Sequence, residues 1–252
     1  MSCVNIRGCR IGEGRPKVIL PIVERTEAAI LEKAAQFSTL QADCVEWRAD
    51  WFEGSQSPAA IARCIQKLRV ALRDKLLLVT FRTKAESGEQ ALSHPEYLAF
   101  LRLILDTDCA DLLDIEFFTA GADLPKLVEQ AHSAGVAVVC SSHDFAKTPP
   151  RAELVSRMVQ MQQAGADLPK LAVMPRCRTD VLELLATTAE MADLHPETPV
   201  ITMSMGALGA VSRLAGETFG SAMTFANPGT ASAPGQVGLD VVNAVLDSLR
   251  LS

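Results

Sequence analysis

The chain has 252 residues, a formal net charge of −6, and 48% hydrophobic but only 5% aromatic residues. It carries no basic block or acidic tail, which disfavours nucleic-acid binding, and no apolar run approaches the roughly 20 residues needed to span a bilayer. The start, "MSCVNIRGCRIGEG", lacks the apolar core of a secretory signal. The seven cysteines are scattered without a C-x-x-C pair. Neither a disulfide framework nor a zinc site is suggested, and a reducing, cytoplasmic setting is expected.

The first residues, "CVNIRGCRIG", can form a short hairpin. Strand-like apolar runs then alternate with helix-like amphipathic runs. The strands are expected at 17–23 (KVILPIV), 43–48 (DCVEWR), 75–82 (KLLLVTFR), 111–118 (DLLDIEFF), 135–142 (GVAVVCSS), 168–175 (LPKLAVMP), 199–205 (PVITMSM) and 221–226 (SAMTFA). Helical spacing marks 26–37, 58–72, 95–105, 124–131, 151–163, 180–191 and 237–249, and the glycine-rich "GALGAVSRLAGETFG" can hold a short helix. This alternation argues for parallel strands joined by helical crossovers. Eight units at this length predict a single domain over residues 1–252, a closed (β/α)8 TIM barrel with the N-terminal hairpin closing its bottom. The alternative is an open doubly wound sheet, but no strand runs into a GxGxxG turn.

The octapeptide "AGADLPKL" occurs at 120–127 and again at 164–171. In the first copy Asp123 can cap a helix whose first turn holds Pro125, which puts Lys126 on an exposed helix start. Such a lysine ordinarily contributes solubility alone. The second copy leads into "AVMP" and becomes a strand, so Lys170, Ala172 and Met174 share one face. An outward lysine is the competing placement. The surrounding charges favour the inward one, among apolar neighbours.

Those charges gather at strand ends, where the active sites of this architecture lie. "DCVEWRAD" places Glu46 and Arg48 two apart on one face, with Val45 and Trp47 on the other; an ordinary strand-end ion pair is the plain alternative. Arg82 ends its strand, with Glu86 and the flexible "SGEQ" just beyond. His143 follows "VAVVCSS", whereas His94 and His195 precede prolines and His132 lies on a helix. Arg213 falls between the last two strands. Ser232 and Gln236 fall in the Gly/Pro-rich "TASAPGQ", whose plain reading is a connection and whose functional reading is a closing loop. Arginines suit a carboxylate or phosphate. A buried lysine among arginines loses part of its proton affinity, which favours attack on a ketone or aldehyde, and carboxylates oppose that effect. The resulting Schiff base acidifies the adjacent C–H, and a nearby histidine can move that proton.

The ordered set "EWRAD", "TFRTKAESGEQA", "SSHDFAKTP", "DLPKLAVMP", "ITMSMG", "SRLAGETFGS" and "ASAPGQ" resembles the type I 3-dehydroquinate dehydratase family over nearly the whole chain. The resemblance implies a (β/α)8 barrel, commonly a homodimer, that uses no cofactor or metal. It implies syn dehydration of 3-dehydroquinate to 3-dehydroshikimate in the shikimate pathway of aromatic amino acid biosynthesis. Lys170 would form the imine with the C3 ketone, and His143 would take the C2 proton and assist departure of the C1 hydroxyl. Glu86 would orient His143, and Arg213 would bind the substrate carboxylate. Glu46, Arg48, Arg82, Ser232 and Gln236 would hold the ring hydroxyls and close the pocket. Three features depart from the family pattern: Pro21 stands where a small polar residue is common, "MGALGAVSR" lacks a lysine after "MSM", and "FANPGTASAPGQ" is less basic. Two rival readings share the fold. One is a Schiff-base aldolase, against which His143 beside Glu86 argues; the other is an inactive metabolite-binding barrel, against which the presence of both Lys170 and His143 argues.

Overall fold

A computed structural model describes residues 2–228 and 235–251. A hairpin of β1 (Val4–Ile6) and β2 (Cys9–Ile11) precedes eight strands: β3 (Lys17–Ile22), β4 (Cys44–Arg48), β5 (Leu76–Thr80), β6 (Leu112–Glu116), β7 (Ala137–Asp144), β8 (Leu168–Val173), β9 (Ile201–Ser204) and β10 (Met223–Asn227). These eight pair in parallel, each with its neighbour in chain order from β3 to β9, and β10 pairs back onto β3. The remaining seam closes through a Val200–Ser221 bridge and a 2.8 Å hydrogen bond from the Ala222 N–H to the Val200 carbonyl. The eight-stranded barrel expected from the alternation is therefore present.

Around it lie α1 (Glu27–Phe37), α2 (Pro58–Leu72), α3 (His94–Leu105), α4 (Phe117–Ala120), α5 (Leu124–Ser133), α6 (Arg151–Gln163), α7 (Arg178–Leu194), α8 (Ala210–Leu214), α9 (Gly216–Phe219) and α10 (Leu239–Ser248). None of the helices among the described residues is long and apolar enough to cross a membrane. Side-chain oxygens start three of them: Thr26 accepts from the Ala29 N–H, Ser57 from the Ala60 N–H, and Glu96 from the Ser93 N–H in a capping box on α3. The glycine-rich segment between β9 and β10 holds two short helices rather than one. Val237 and Gly238 form a short strand, β11, paired with the end of β10 instead of opening the last helix. Phe117 and Phe118, expected to extend a strand, begin α4; the strand stops where Glu116 turns inward.

Alternation along the strands divides the core into two shells. Val45, Trp47, Leu77, Val79, Leu113, Ile115, Val138, Cys140, Leu171 and Val173 face the helices. Ile19, Cys44, Leu76, Leu78, Leu112, Val139, Leu168, Ile201 and Met223 fill the barrel interior. Ile11 is fully buried in that inner cluster, with Ile6 and Cys9 packed against it, so the hairpin closes the bottom as expected.

One local device recurs on alternate strands. Asp43, Asp111 and Asp167 each stand one residue before a strand, and each accepts the first free N–H of the preceding strand, from Val18, Leu77 and Val138, at 2.7, 2.8 and 2.7 Å. The carboxylate satisfies a backbone donor that has no ladder partner. It also fixes register between neighbouring strands. Three residues further on, each of these strands carries an inward polar side chain: Glu46, Asp114 and Lys170.

Candidate active site

Above the apolar floor, a cavity of about 240 Å³ opens at the C-terminal ends of the strands. Glu46, Arg48, Arg82, Glu86, His143, Lys170, Arg213 and Gln236 line it, with Trp51, Phe145, Met203, Met205 and Phe225. Eight of the nine site residues expected from the sequence thus meet in one place; Ser232 and most of the loop expected to close lie outside the described residues. Among the described residues, no group of three or more His, Cys, Asp or Glu is placed to hold a metal ion.

Lys170 is 3% exposed, and its Nζ stands 3.4 Å from Asp114 Oδ2 and 4.8 Å above the Phe225 ring. The sequence predicted apolar neighbours for it. The structure instead supplies a carboxylate and an aromatic face, both favourable to a cationic nitrogen. Lys126, in the other copy of the octapeptide, is exposed on α5. Asp123 does not cap that helix, because its carboxylate is turned to His94 Nε2 at 2.8 Å.

Arg82 organises the centre. One terminal nitrogen donates to both Asp114 oxygens at 2.9 Å; the other donates to Ser141 Oγ, Glu116 Oε1 and Glu86 Oε2 at 2.9, 3.0 and 3.2 Å. Burial opposes its charge, but Asp114, Glu116, Glu86 and Glu46 outweigh burial and hold the guanidinium firmly protonated. Glu116 in turn accepts from the Thr83 N–H and the hydroxyls of Thr83 and Thr119, while its own N–H donates to the Tyr97 hydroxyl at 2.8 Å. This network satisfies almost every buried polar group in it, as a low-dielectric interior requires.

His143 Nδ1 lies 2.7 Å from Glu86 Oε2, and the ring stacks on Phe145. Burial, then the charges of Arg82, Lys170 and Arg48, push the imidazole well below its ordinary range. Burial raises Glu86 to about 8, partly offset by Arg82. The pair therefore holds a neutral ring beside a reluctant acid, leaving Nε2 for chemistry in the cavity. Glu86 owes its position to a tight turn. The "SGEQ" segment expected to be flexible is pinned: the Gly88 N–H donates to the Thr83 carbonyl at 2.8 Å and the Glu89 N–H to Asp50 Oδ2 at 3.1 Å. A Cβ on Gly88 would stand 1.8 Å from the Arg82 carbonyl oxygen, so no other residue fits that turn.

Glu46 and Arg48 share the inner face as predicted but do not pair with each other. Glu46 accepts from Thr80 Oγ1 at 2.8 Å, and Arg48 grips both oxygens of buried Asp50 at 2.8 Å. Arg213 is buried on α8; desolvation lowers it to about 10, still protonated at neutral pH. Pro21 is buried in β3 opposite Glu46, and the ladder to β4 continues through it to Ile22. The barrel therefore accepts the ring, although the position offers no donor to the site. Sequence reasoning missed Asp114, Glu116, Ser141 and Asp50. Asp114 and Glu116 carry the same two-apart signature that singled out Glu46 and Arg48.

The family model described as type I 3-dehydroquinase matches residues 18–252. The 3-dehydroquinate dehydratase of Bacillus subtilis (strain 168) is 46% identical over 250 residues, covering 99% of this chain and 98% of that protein. A crystal structure of type I 3-dehydroquinate dehydratase from Clostridium difficile with covalently modified comenic acid superposes with a TM-score of 0.95 at 41% identity, covering 98% of each chain. The structure of 3-dehydroquinate dehydratase from Enterococcus faecalis gives 0.92 at 40% identity, covering 98% of this chain and 100% of that one.

Proposed function

The chain belongs to the type I 3-dehydroquinase family, and on that premise we propose that it dehydrates 3-dehydroquinate to 3-dehydroshikimate through a Schiff base on Lys170. The single observation that carries this reading is a buried lysine amine at the mouth of the barrel, on the strand next to a neutral histidine that a carboxyl group orients. The Lys170 amine adds to the C3 ketone, and loss of water leaves a protonated imine. His143 Nε2 takes the C2 proton, and the electron pair flows to nitrogen to give an enamine. The enamine expels the C1 hydroxyl, which leaves as water with the proton that His143 carried. Hydrolysis of the conjugated imine frees the product and the amine.

Glu86 fixes the imidazole so that Nε2 faces the substrate. Arg213 receives the substrate carboxylate, while Glu46, Arg48, Arg82, Ser232 and Gln236 meet the ring hydroxyls and enclose them. Arg82 and Arg48 also answer to carboxylates of the protein, which holds their forks in place before substrate arrives. The reading takes residues 1–252 as one catalytic domain acting as a homodimer in the cytoplasm. Seven free cysteines fit a reducing compartment.

The test is turnover. Purified protein mixed with 3-dehydroquinate should generate the absorbance of a conjugated enone carboxylate, and Lys170→Ala should abolish it. Saturable binding of 3-dehydroquinate by the folded wild-type protein without product would overturn the assignment. Sedimentation or light scattering would check the dimer.

A further inference from the structure

We propose that Asp114 is a fixed counter-ion for the nitrogen of Lys170, keeping the imine protonated through the reaction. The inference rests on the imine reading above and adds a residue to it. Its ground is geometric. Asp114 Oδ2 lies 3.4 Å from Lys170 Nζ at full burial, and Phe225 offers its ring face to the same nitrogen.

The carboxylate cannot swing away or act as a mobile base. Arg82 holds both its oxygens at 2.9 Å, and Ser141 Oγ donates to Oδ1 at 2.7 Å. Burial acts to raise Asp114, but Arg82 and Lys170, with hydrogen bonds from Ser141 and Arg82, hold it below its ordinary range, so it stays ionised. Arg82 pairs this carboxylate from one side, and Lys170 Nζ meets its Oδ2 from the other.

The charge balance shows what this accomplishes. An amine, a proton and a ketone give an iminium and one water, so the nitrogen gains one positive charge in that step. The iminium draws the electron pair when the C2 proton leaves; a neutral imine would not. Free in solution, such an imine exchanges its proton readily. Opposite an immobile anion it retains the proton, and His143 alone carries protons to and from carbon and oxygen. Asp114 thus serves as an electrostatic partner, placed in advance where charge is needed.

The experiment uses cyanoborohydride, which reduces protonated imines and spares neutral ones. The full-length protein is mixed with 3-dehydroquinate, and the rate of covalent trapping is followed from neutral to mildly alkaline pH. The wild-type rate should stay level. In Asp114→Asn the rate should fall as pH rises, with kcat reduced on the order of 100-fold. Asp114→Glu, which retains the charge, should restore the level trace even where kcat stays low. A merely structural role would lower kcat and leave the pH trace flat in all three proteins, and that result overturns the proposal. If Asp114→Asn does not fold, the wild-type trace still decides, because a wild-type rate that declines over this range contradicts a held proton. No adduct in the wild-type protein would instead overturn the imine reading itself.

Discussion

The two copies of "AGADLPKL" fold into different elements from identical residues, and the difference decides which lysine enters the cavity. In both, a glycine with positive φ stands at the end of a helix: Gly121 after α4 with φ +52, Gly165 after α6 with φ +91. After that the copies part. In the first, α5 places Leu124 and Leu127 three apart on one face, both packed in the outer shell, and Lys126 points to water. In the second, β8 sends Leu168 into the barrel and Leu171 toward the helices, and Lys170 follows Leu168 inward. Flanking sequence decides between these outcomes. The first copy runs into the polar, helix-spaced "VEQAHSAG" and the second into the apolar "AVMP".

The largest test of this contrast is catalytic. Lys170→Ala should reduce kcat by at least about 10⁴-fold, whereas Lys126→Ala should turn over at the wild-type rate. Comparable losses from both variants would break the comparison.

A smaller effect concerns the pH dependence of stability near Lys170. Burial raises Glu86 to about 8 from its ordinary value near 4.5. Between those values the folded protein binds more protons than the unfolded chain, so the Glu86 contribution to stability falls as pH rises and is constant above about 8. Glu86→Gln removes that ionisation. Its melting temperature relative to wild type should therefore climb across this window, by the equivalent of a few kcal/mol at most. A constant offset from acid to alkaline pH would show that Glu86 ionises as freely in the fold as outside it.

The aspartates of the two copies should also differ. Asp167→Ala strands the Val138 N–H in the barrel wall and should cost about 1–3 kcal/mol in chemical denaturation. Asp123→Ala loses an exposed contact with His94 and should leave the denaturation midpoint unchanged. Least different are the glycines. Each alanine substitution meets the strain of a positive φ, about 1–3 kcal/mol. Gly165→Ala should melt lower than Gly121→Ala, since its Cβ would press on Val128 at 3.1 Å while the other meets open space.

Most of the barrel was legible because strand and helix periods alternate through the chain, and α2 and α6 begin and end where their spacing predicts. The inward charges were legible at Glu46 and Arg48, where polar residues alternate with Val45 and Trp47. Asp114 and Glu116 show the same alternation in "DLLDIEFF". Their role was hidden because a carboxylate facing water and one facing a buried arginine look alike in sequence. What separates them is Arg82, 32 residues away along the chain from Asp114 and adjacent only once the barrel closes. The aromatic pair Phe117–Phe118 has strand propensity, yet it begins a helix because Glu116 is anchored by Thr83 and Thr119 and ends the strand. Asp123 has the right residue type for a cap, but His94 competes for its carboxylate.

The most direct measurement is the site of covalent trapping. The protein is incubated with 3-dehydroquinate, reduced with borohydride and digested, and the modified peptide is identified by mass spectrometry; the flanks of the two octapeptides distinguish the lysines. A substrate-sized adduct on Lys170 with none on Lys126 is the expected result. An adduct on Lys126, or no adduct on a folded protein that binds substrate, would contradict the account.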